Sequence, residues 1–259
     1  MADAETDVST VARLFVGETL AAGAEILLDS DRAHYLRNVL RLQPGDAIGL
    51  FNGRDGEWRA HIGSFGRRDA KLAVTTQSRE QHATPDIWLA FAPIKRQRVD
   101  WLVEKATELG VSRMIPVLTR RTMVTRVNLD RLRAHAIEAA EQTERLDVPV
   151  VDDAVTIEKL LKDWPRERRL LLCAEAGVAR PLADVLAEFP RNSVPSMAVM
   201  TGPEGGYAPE ELDALAALPF VTPVGLGPRI LRADTAAIAA LACWQAWVGD
   251  GGTRPPARS

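Results

Sequence analysis

Two short segments carry residue types suited to holding a ligand and steering charge. The first is MTGPEGGYAPEEL, residues 200–212. A buried strand is expected to end at Thr201, a Gly-Pro-Glu-Gly-Gly turn follows, and Pro209 stands where a new helix can begin, since proline is tolerated in a helix's first turn. Glycines in such a turn leave main-chain N–H and C=O groups open to a ligand. The carboxyl end of a parallel strand is also where open α/β sheets bind their ligands. The turn is neither a Gly-Lys-Ser/Thr phosphate loop nor a GxGxxG dinucleotide fingerprint. Taken alone, it reads equally well as a tight structural turn. The second segment, VGLGPRILRADTAAIAAL, residues 224–241, repeats the pattern: a strand, a turn with Gly225 and Gly227, then a long apolar helix. Arg229 and Arg232 lie between turn and helix. Two bare strand ends with intervening cations form a constellation that favours a ligand site.

These turns need a sheet behind them, and the second part of the chain supplies the pattern for one. IWLAFAP (residues 87–93), MIPVL (114–118), RLLLCA (169–174), SMAVMT (196–201) and FVTPVGL (220–226) read as buried strands. Between them, Gln97 to Leu109 puts Val99, Leu102, Val103, Ala106 and Leu109 on one helical face, with Gly110 as its C-cap. Asn128 can cap a helix through Gln142, further helices start near Pro181 and Pro209, and Asp234 and Thr235 open the last one. Alternating strand and helix imply an α/β fold with a mainly parallel sheet. Before residue 78 the regime differs. RLFV, EILL, DAIGLFNG, EWRAHIG and KLAVTTQ are short segments broken by Asn52-Gly53 and Asp55-Gly56 turns, with a short helix from His34 to Leu40, which suggests a small β-barrel.

Composition bounds the rest. The 259 residues have the apolar and charged fractions of an ordinary globular protein and a net charge of −3. No run approaches a membrane span, and the opening MADAETDVST is unlike a signal peptide. Cys173 and Cys243 stand in apolar segments without zinc-like spacing, so both are expected to be buried free thiols in a reducing, cytoplasmic compartment. Basic residues gather locally over 32–71 and 95–133. Such faces can hold a phosphate backbone or remain a solvated mixed surface.

TGPEGG followed by LGPRILR-x-[E/D]-T-A resembles the knotted, SPOUT-type methyltransferases, and within them the RsmE family, which methylates N3 of a uridine in bacterial small-subunit ribosomal RNA. The resemblance covers nearly the whole chain. RLFV and HYLRNVLRLQPGD look like that family's PUA-like RNA-binding barrel, while KRQRVDWLVEKATELGVSRMIPVL and the EQ of AAEQTERLDVPVV look like its connecting segments. The combined expectation is a PUA-like β-barrel over 11–77, a trefoil-knotted methyltransferase domain over 85–249 and a disordered tail over 250–259. The resemblance implies S-adenosylmethionine as cofactor, held by three loops. These are Leu172, Cys173 and Ala174; Thr201, Gly202, Pro203, Glu204, Gly205 and Gly206; and Leu226, Gly227, Pro228, Arg229, Ile230, Leu231 and Arg232. It further implies a homodimer acting on 16S rRNA or the small ribosomal subunit, with no membrane or metal partner. The last helix, with Trp244 and Trp247, would either supply part of the dimer face or pack in the core.

The implied chemistry is displacement at the sulfonium methyl by uracil N3. Arg232 and Arg229 are candidates for stabilising the negative charge that develops on the uracil carbonyls. Glu204 either accepts the N3 proton, orients the base, contacts the cofactor or caps a turn. For RNA, His34, Arg37 and Arg41 fall on one side of the short helix at α-helical spacing and, with Arg13, would form a phosphate-gripping edge. Lys95, Arg96 and Arg98 follow a strand's carboxyl end. Two departures stand out: Asp234 replaces the family's usual Glu, and residues 143–147 (TERLD) lack the Cys/Gly/Arg/Asn composition common in relatives. The competing readings are a knotted methyltransferase with another RNA target and an RNA-binding assembly factor without catalysis.

Overall fold

The computed structural model describes residues 12–124, 126–174 and 179–253. The described residues form two compact units, one of 12–83 together with 140–148, the other of 84–139 with 149–253. Residues 140–148, including the TERLD stretch, therefore belong with the first unit although the chain reaches them from the second.

The first unit contains β1 (Arg13–Phe15), β2 (Glu25–Leu28), α1 (Ser30–His34), β3 (Ala47–Phe51), β4 (Glu57–Phe65) and β5 (Ala70–Arg79). They make a five-stranded sheet in the order β1-β3-β4-β5-β2. All pairings are antiparallel except β1 with β3. Along β5, Ala70, Leu72 and Val74 point inward and alternate with exposed residues, the period of a half-buried strand. Register shifts between β4 and β5 bend the sheet around a core of Val16, Leu36, Ile48, Leu50, Ala60, Ile62 and Leu72. No ladder joins β1 to β2 among the described residues, so the expected barrel is not closed by hydrogen bonds; α1 and the turn after it add Ala33 and Leu36 to the core. Gly56 is required at its turn: its φ is +79°, and a Cβ there would lie 2.2 Å from the Arg79 carbonyl oxygen.

The helical segment differs from expectation. Asp29 accepts a hydrogen bond from the Arg32 N–H and caps α1 four residues earlier than the apolar pattern suggests. From Tyr35 to Val39 the segment widens into a π-helical turn, and Arg41 has φ of +59° beyond its end. The wider turn breaks the i, i+3, i+4 spacing.

The second unit contains β6 (Ile87–Phe91), α2 (Arg96–Glu108), β7 (Arg113–Leu118), α3 (Leu129–Gln142), β8 (Val150–Val151), β9 (Val155–Thr156), α4 (Ile157–Lys162), β10 (Arg169–Cys173), β11 (Arg180–Pro181), α5 (Leu182–Leu186), β12 (Met197–Thr201), α6 (Pro209–Ala216), β13 (Val221–Gly225) and α7 (Ala233–Trp247). The last residues of α3 fall in the first unit. The sheet runs β11-β13-β10-β12-β6-β7-β8, with every pairing parallel. β12 is buried along its whole length, as a parallel strand covered on both faces must be. At the foot of the sheet, the nearly buried Arg168 donates to the Asp86 carbonyl at 3.0 Å and the Met197 carbonyl at 3.1 Å. It also pairs with the Asp86 carboxylate, and its guanidinium sits 3.7 Å from the centre of the Trp88 ring.

Helix α7 buries Ala237, Ala240, Leu241 and Trp244 at helical spacing. Trp244 is fully enclosed and its Nε1 donates to Met197 Sδ at 3.2 Å, so it serves this unit's own core. Cys243 lies on the outer side of the same helix and is exposed, and Cys173 at the end of β10 is half-buried, correcting the expectation that both thiols are buried. Residues 250–253 form a turn tied to Gln245, which accepts from Asp250 N at its side chain and from Gly251 N at its carbonyl. The remainder of the expected disordered tail, 254–259, lies outside the described residues. No helix is long and apolar enough to cross a membrane among the described residues.

Candidate functional site

The parallel register sets the site. Cys173 is level with both Thr201 and Val224, Thr201 with Phe91, and Phe91 with Pro116. Five neighbouring strands thus deliver their following loops to one edge of the sheet. All three expected cofactor loops are among them: the segment after Cys173, the 202–208 turn and the 226–232 segment. Residues 175–178 lie outside the described residues.

The 202–208 turn closes through a hydrogen bond from Gly206 N to the Pro203 carbonyl at 2.9 Å, with Gly206 at φ of +66°. The Tyr207 ring covers Gly202, where a Cβ would lie 3.0 Å from the ring edge. The Tyr207 hydroxyl is buried with no hydrogen-bond partner among the described residues, and burial, reinforced by Cys173 and Glu211, pushes its pKa well above the ordinary value. Burial also pushes the Cys173 thiol up to about 12. It remains a neutral packing group at physiological pH, not a nucleophile.

A second loop is tied to this turn. Glu211, nearly buried in α6, accepts from Arg120 N at 2.7 Å and from Ala208 N at 3.0 Å. Arg121 Nη1 donates to the Gly205 carbonyl at 3.0 Å, and Arg120 reaches Glu210 at 3.3 Å. The sequence reading missed all three residues. Glu211 sits three after the N-cap Ala208, the spacing of a capping-box acid, and that was the available signal. Arg120 and Arg121 stood only as members of a basic run.

Most of the main chain of 226–231 has no partner among the described residues. Among the described residues, nothing hydrogen-bonds the backbone of Leu226, Gly227, Arg229, Ile230 or Leu231. Arg229 and Arg232 are exposed, and neither guanidinium has an acceptor among the described residues. Arg229 Nη2 lies 3.7 Å from where a Gly227 Cβ would stand. Arg232 is the N-cap of α7, its carbonyl accepting from Ala236 N at 2.8 Å. Two residues on, Asp234 Oδ1 is buried without a partner among the described residues.

Lys95 and Arg98 open α2 at the same sheet edge; Arg96 opens it with them, but its side chain lies outside the described atoms. Glu204 is exposed, with Oε1 3.5 Å from Lys95 N, so its carboxylate faces the α2 N-terminus. Acidic residues are absent from that first turn, although cations at the positive end of a helix dipole are unfavourable.

In the first unit, the expected phosphate-gripping set divides. Arg13 is one-tenth exposed, pairs with Glu57 at 2.7 Å, and donates to the carbonyls of Ala140, Glu141 and Arg145 at 3.3, 3.0 and 2.8 Å. With all its donors engaged, Arg13 is a strut for residues 140–145, which corrects its assignment to an RNA-gripping edge. His34 and Arg37 line one cavity beside the β4–β5 turn, whereas Arg41 does not. The π-helical turn separates them.

Two family models match the chain. One describes an RNA methyltransferase domain, over residues 80–245, and the other an RNA methyltransferase PUA domain, over 28–74. Ribosomal RNA small subunit methyltransferase E of Rickettsia conorii is 36% identical over 231 residues, covering 89% of this chain and 93% of that protein. The protein of the same name from Synechocystis is 34% identical over 89% of this chain and 76% of its own. Among solved structures, ribosomal RNA small subunit methyltransferase E of Neisseria gonorrhoeae bound to S-adenosyl methionine superposes with a TM-score of 0.80 at 28% identity, covering 90% and 96% of the two chains. A putative methyltransferase of Legionella pneumophila in complex with SAM reaches 0.82 at 27% identity, over 92% and 98%. A parallel sheet carrying ligand loops on one edge, a PUA-type first unit and matches along almost the full length place this chain in the ribosomal RNA small subunit methyltransferase E family of RNA methyltransferases.

Proposed function

We propose that this protein transfers the methyl group of S-adenosylmethionine to N3 of a uridine in the 16S rRNA of the small ribosomal subunit. The observation that carries the reading is the main chain of 226–231, unpaired among the described residues and delivered to the same sheet edge as the glycine turn at 202–206, with the exposed guanidiniums of Arg229 and Arg232 in or next to that segment. Such a site suits a cofactor bearing polar edges. Among the described residues the main-chain donors and acceptors of 226–231 are free, no Cβ intrudes at Gly202, Gly205, Gly206 or Gly227, and the Tyr207 hydroxyl and Asp234 Oδ1, which have no partner there, offer further ones. Relatives of Neisseria and Legionella hold this same cofactor. When bound, S-adenosylmethionine supplies an electrophilic methyl group.

The chain's own residues do the remaining work. Leu172 to Ala174, Thr201 to Gly206 and Leu226 to Leu231 hold the cofactor. Arg232 and Arg229 face the uracil carbonyls, where negative charge accumulates as N3 loses its proton; fixed cations stabilise that charge without reorganising. Glu204 accepts the proton or holds the α2 N-terminus against the turn. Lys95, Arg96 and Arg98 open α2 beside the Glu204 carboxylate at the sheet edge, where an RNA phosphate adds a second anion for these cations. His34, Arg37 and Arg41 add contacts from the first unit. By family analogy the three loops form a trefoil knot, the enzyme is a cytoplasmic homodimer, and no metal takes part.

Nucleoside mass spectrometry of ribosomal RNA from a deletion strain tests the reading. N3-methyluridine should vanish from 16S rRNA and return with the gene. Loss of a ribose-methylated nucleoside, or no change, refutes it.

A further inference from the structure

We propose that the first unit carries a pocket for one unpaired nucleotide of the RNA, its base stacked on the Arg37 guanidinium and its phosphates held by Arg67 and Arg68; this rests on the reading of the chain as an RNA methyltransferase. A cavity of about 310 Å³ lies between α1 with its π-helical turn and the turn joining β4 to β5. That is the low end of the roughly 300–1,000 Å³ typical of small-molecule sites, which suits one nucleotide and excludes a duplex.

The cavity is assembled from both sides. Phe65 ends β4, packs against the sheet core, and holds the Arg37 guanidinium 4.7 Å from its ring centre. Arg67 and Arg68 stand exposed at the turn. Among the described residues, no carboxylate or carbonyl accepts from any of the three guanidiniums. Three unpaired arginines sharing a cavity favour an anionic ligand. Asp31 and Asp69 also line it, so the net charge is small and the site is no trough for a polyanion. One or two phosphates with hydrogen-bond donors on base or ribose match this mixture. Gly66 keeps the Asp69 carboxylate folded over the turn: a Cβ there would lie 2.1 Å from Oδ1. Arginine planes and aromatic rings are common platforms for splayed-out RNA bases, whereas paired bases offer no free face.

The test exchanges charge and stacking separately in the full-length protein. Labelled single-stranded decauridylate and a ten-base-pair RNA duplex are titrated by fluorescence anisotropy over a range of salt. Arg37→Lys keeps the charge but loses the planar surface, so it should weaken single-strand binding about tenfold, the scale of one lost base stack. Its salt slope and its duplex affinity should stay as in wild type. Arg67→Gln and Arg68→Gln should each flatten the single-strand salt slope by about 0.7. All three side chains are exposed, so folding is not at issue. Unchanged single-strand affinity in Arg37→Lys, or an equal loss on the duplex, overturns the pocket. S-adenosylmethionine binding and methyl transfer by the wild-type protein, measured in parallel, report on the enzymatic reading alone, so the two ideas fail by different results.

Discussion

The Glu211 carboxylate bridges two loops, accepting from Arg120 N at 2.7 Å with one oxygen and from Ala208 N at 3.0 Å with the other. Ala208 caps α6 behind the glycine turn and Arg120 lies in the loop after β7, so one nearly buried acid aligns two strand-end loops.

Glu211→Ala leaves the buried Ala208 N–H without an acceptor and releases the N–H of the exposed Arg120 to solvent. One unsatisfied buried donor costs about 1–3 kcal/mol, so urea unfolding should show a loss of that size, with weaker S-adenosylmethionine binding. Glu211→Gln retains one acceptor and should fall between. A change in Glu211→Ala below about 0.5 kcal/mol, the usual range of an uninvolved surface position, would exclude the bridge.

The Arg232 side chain is exposed and its guanidinium has no acceptor among the described residues, so its loss should not disturb the fold. Arg232→Ala should lower turnover by about 10²–10³, the usual effect of removing one group that stabilises developing negative charge. Cofactor affinity should stay within about tenfold by calorimetry. Wild-type turnover would remove Arg232 from the mechanism.

Elements whose burial follows a local period were legible in the sequence. β6, β10, β12 and β13 show as apolar runs, α2 as a 3.6-residue stripe ending at Gly110, and the two glycine turns as breaks at strand ends. Long-range arrangement was not. Nothing local to Arg13 reports that its donors meet carbonyls more than 120 residues away, so it read as a free surface cation. The π-helical turn at Tyr35–Val39 has no period of its own, and α-helical spacing wrongly put Arg41 beside His34 and Arg37. Arg121 became a site residue only through its bond to Gly205 across 84 positions.

The glycines of the turn should differ in their tolerance. A methyl group at position 202 meets the Tyr207 ring at 3.0 Å, whereas one at 205 has its nearest neighbour, Arg121 Cβ, at 3.7 Å. Gly202→Ala should therefore lower the melting temperature and weaken S-adenosylmethionine binding by displacing the ring. Gly205→Ala should fold as wild type, while Gly205→Val projects into the ligand space and should block binding without loss of stability. Thermal unfolding with and without S-adenosylmethionine separates the three. Equal behaviour of the two alanine variants would contradict the packing of Tyr207 on Gly202.

Asp86 gives a signed pH dependence. Burial alone would raise its carboxyl, but hydrogen bonds from Arg168 and Ser196 outweigh burial and hold it below the ordinary 3.8. A group whose folded pKa is depressed stabilises the fold above its unfolded pKa, and that contribution disappears as pH falls through the folded value. The stability difference between wild type and Asp86→Asn should thus be constant from pH 7 to about pH 5 and shrink below about pH 4. Other acids titrate alike in both proteins, so their contributions cancel in the difference. Urea unfolding at pH 7, 5, 4 and 3 measures it. A difference that stays flat down to pH 3 would mean that the Asp86–Arg168 pair contributes nothing through its charge, leaving Arg168 anchored at the foot of the sheet by its bonds to the Asp86 and Met197 carbonyls.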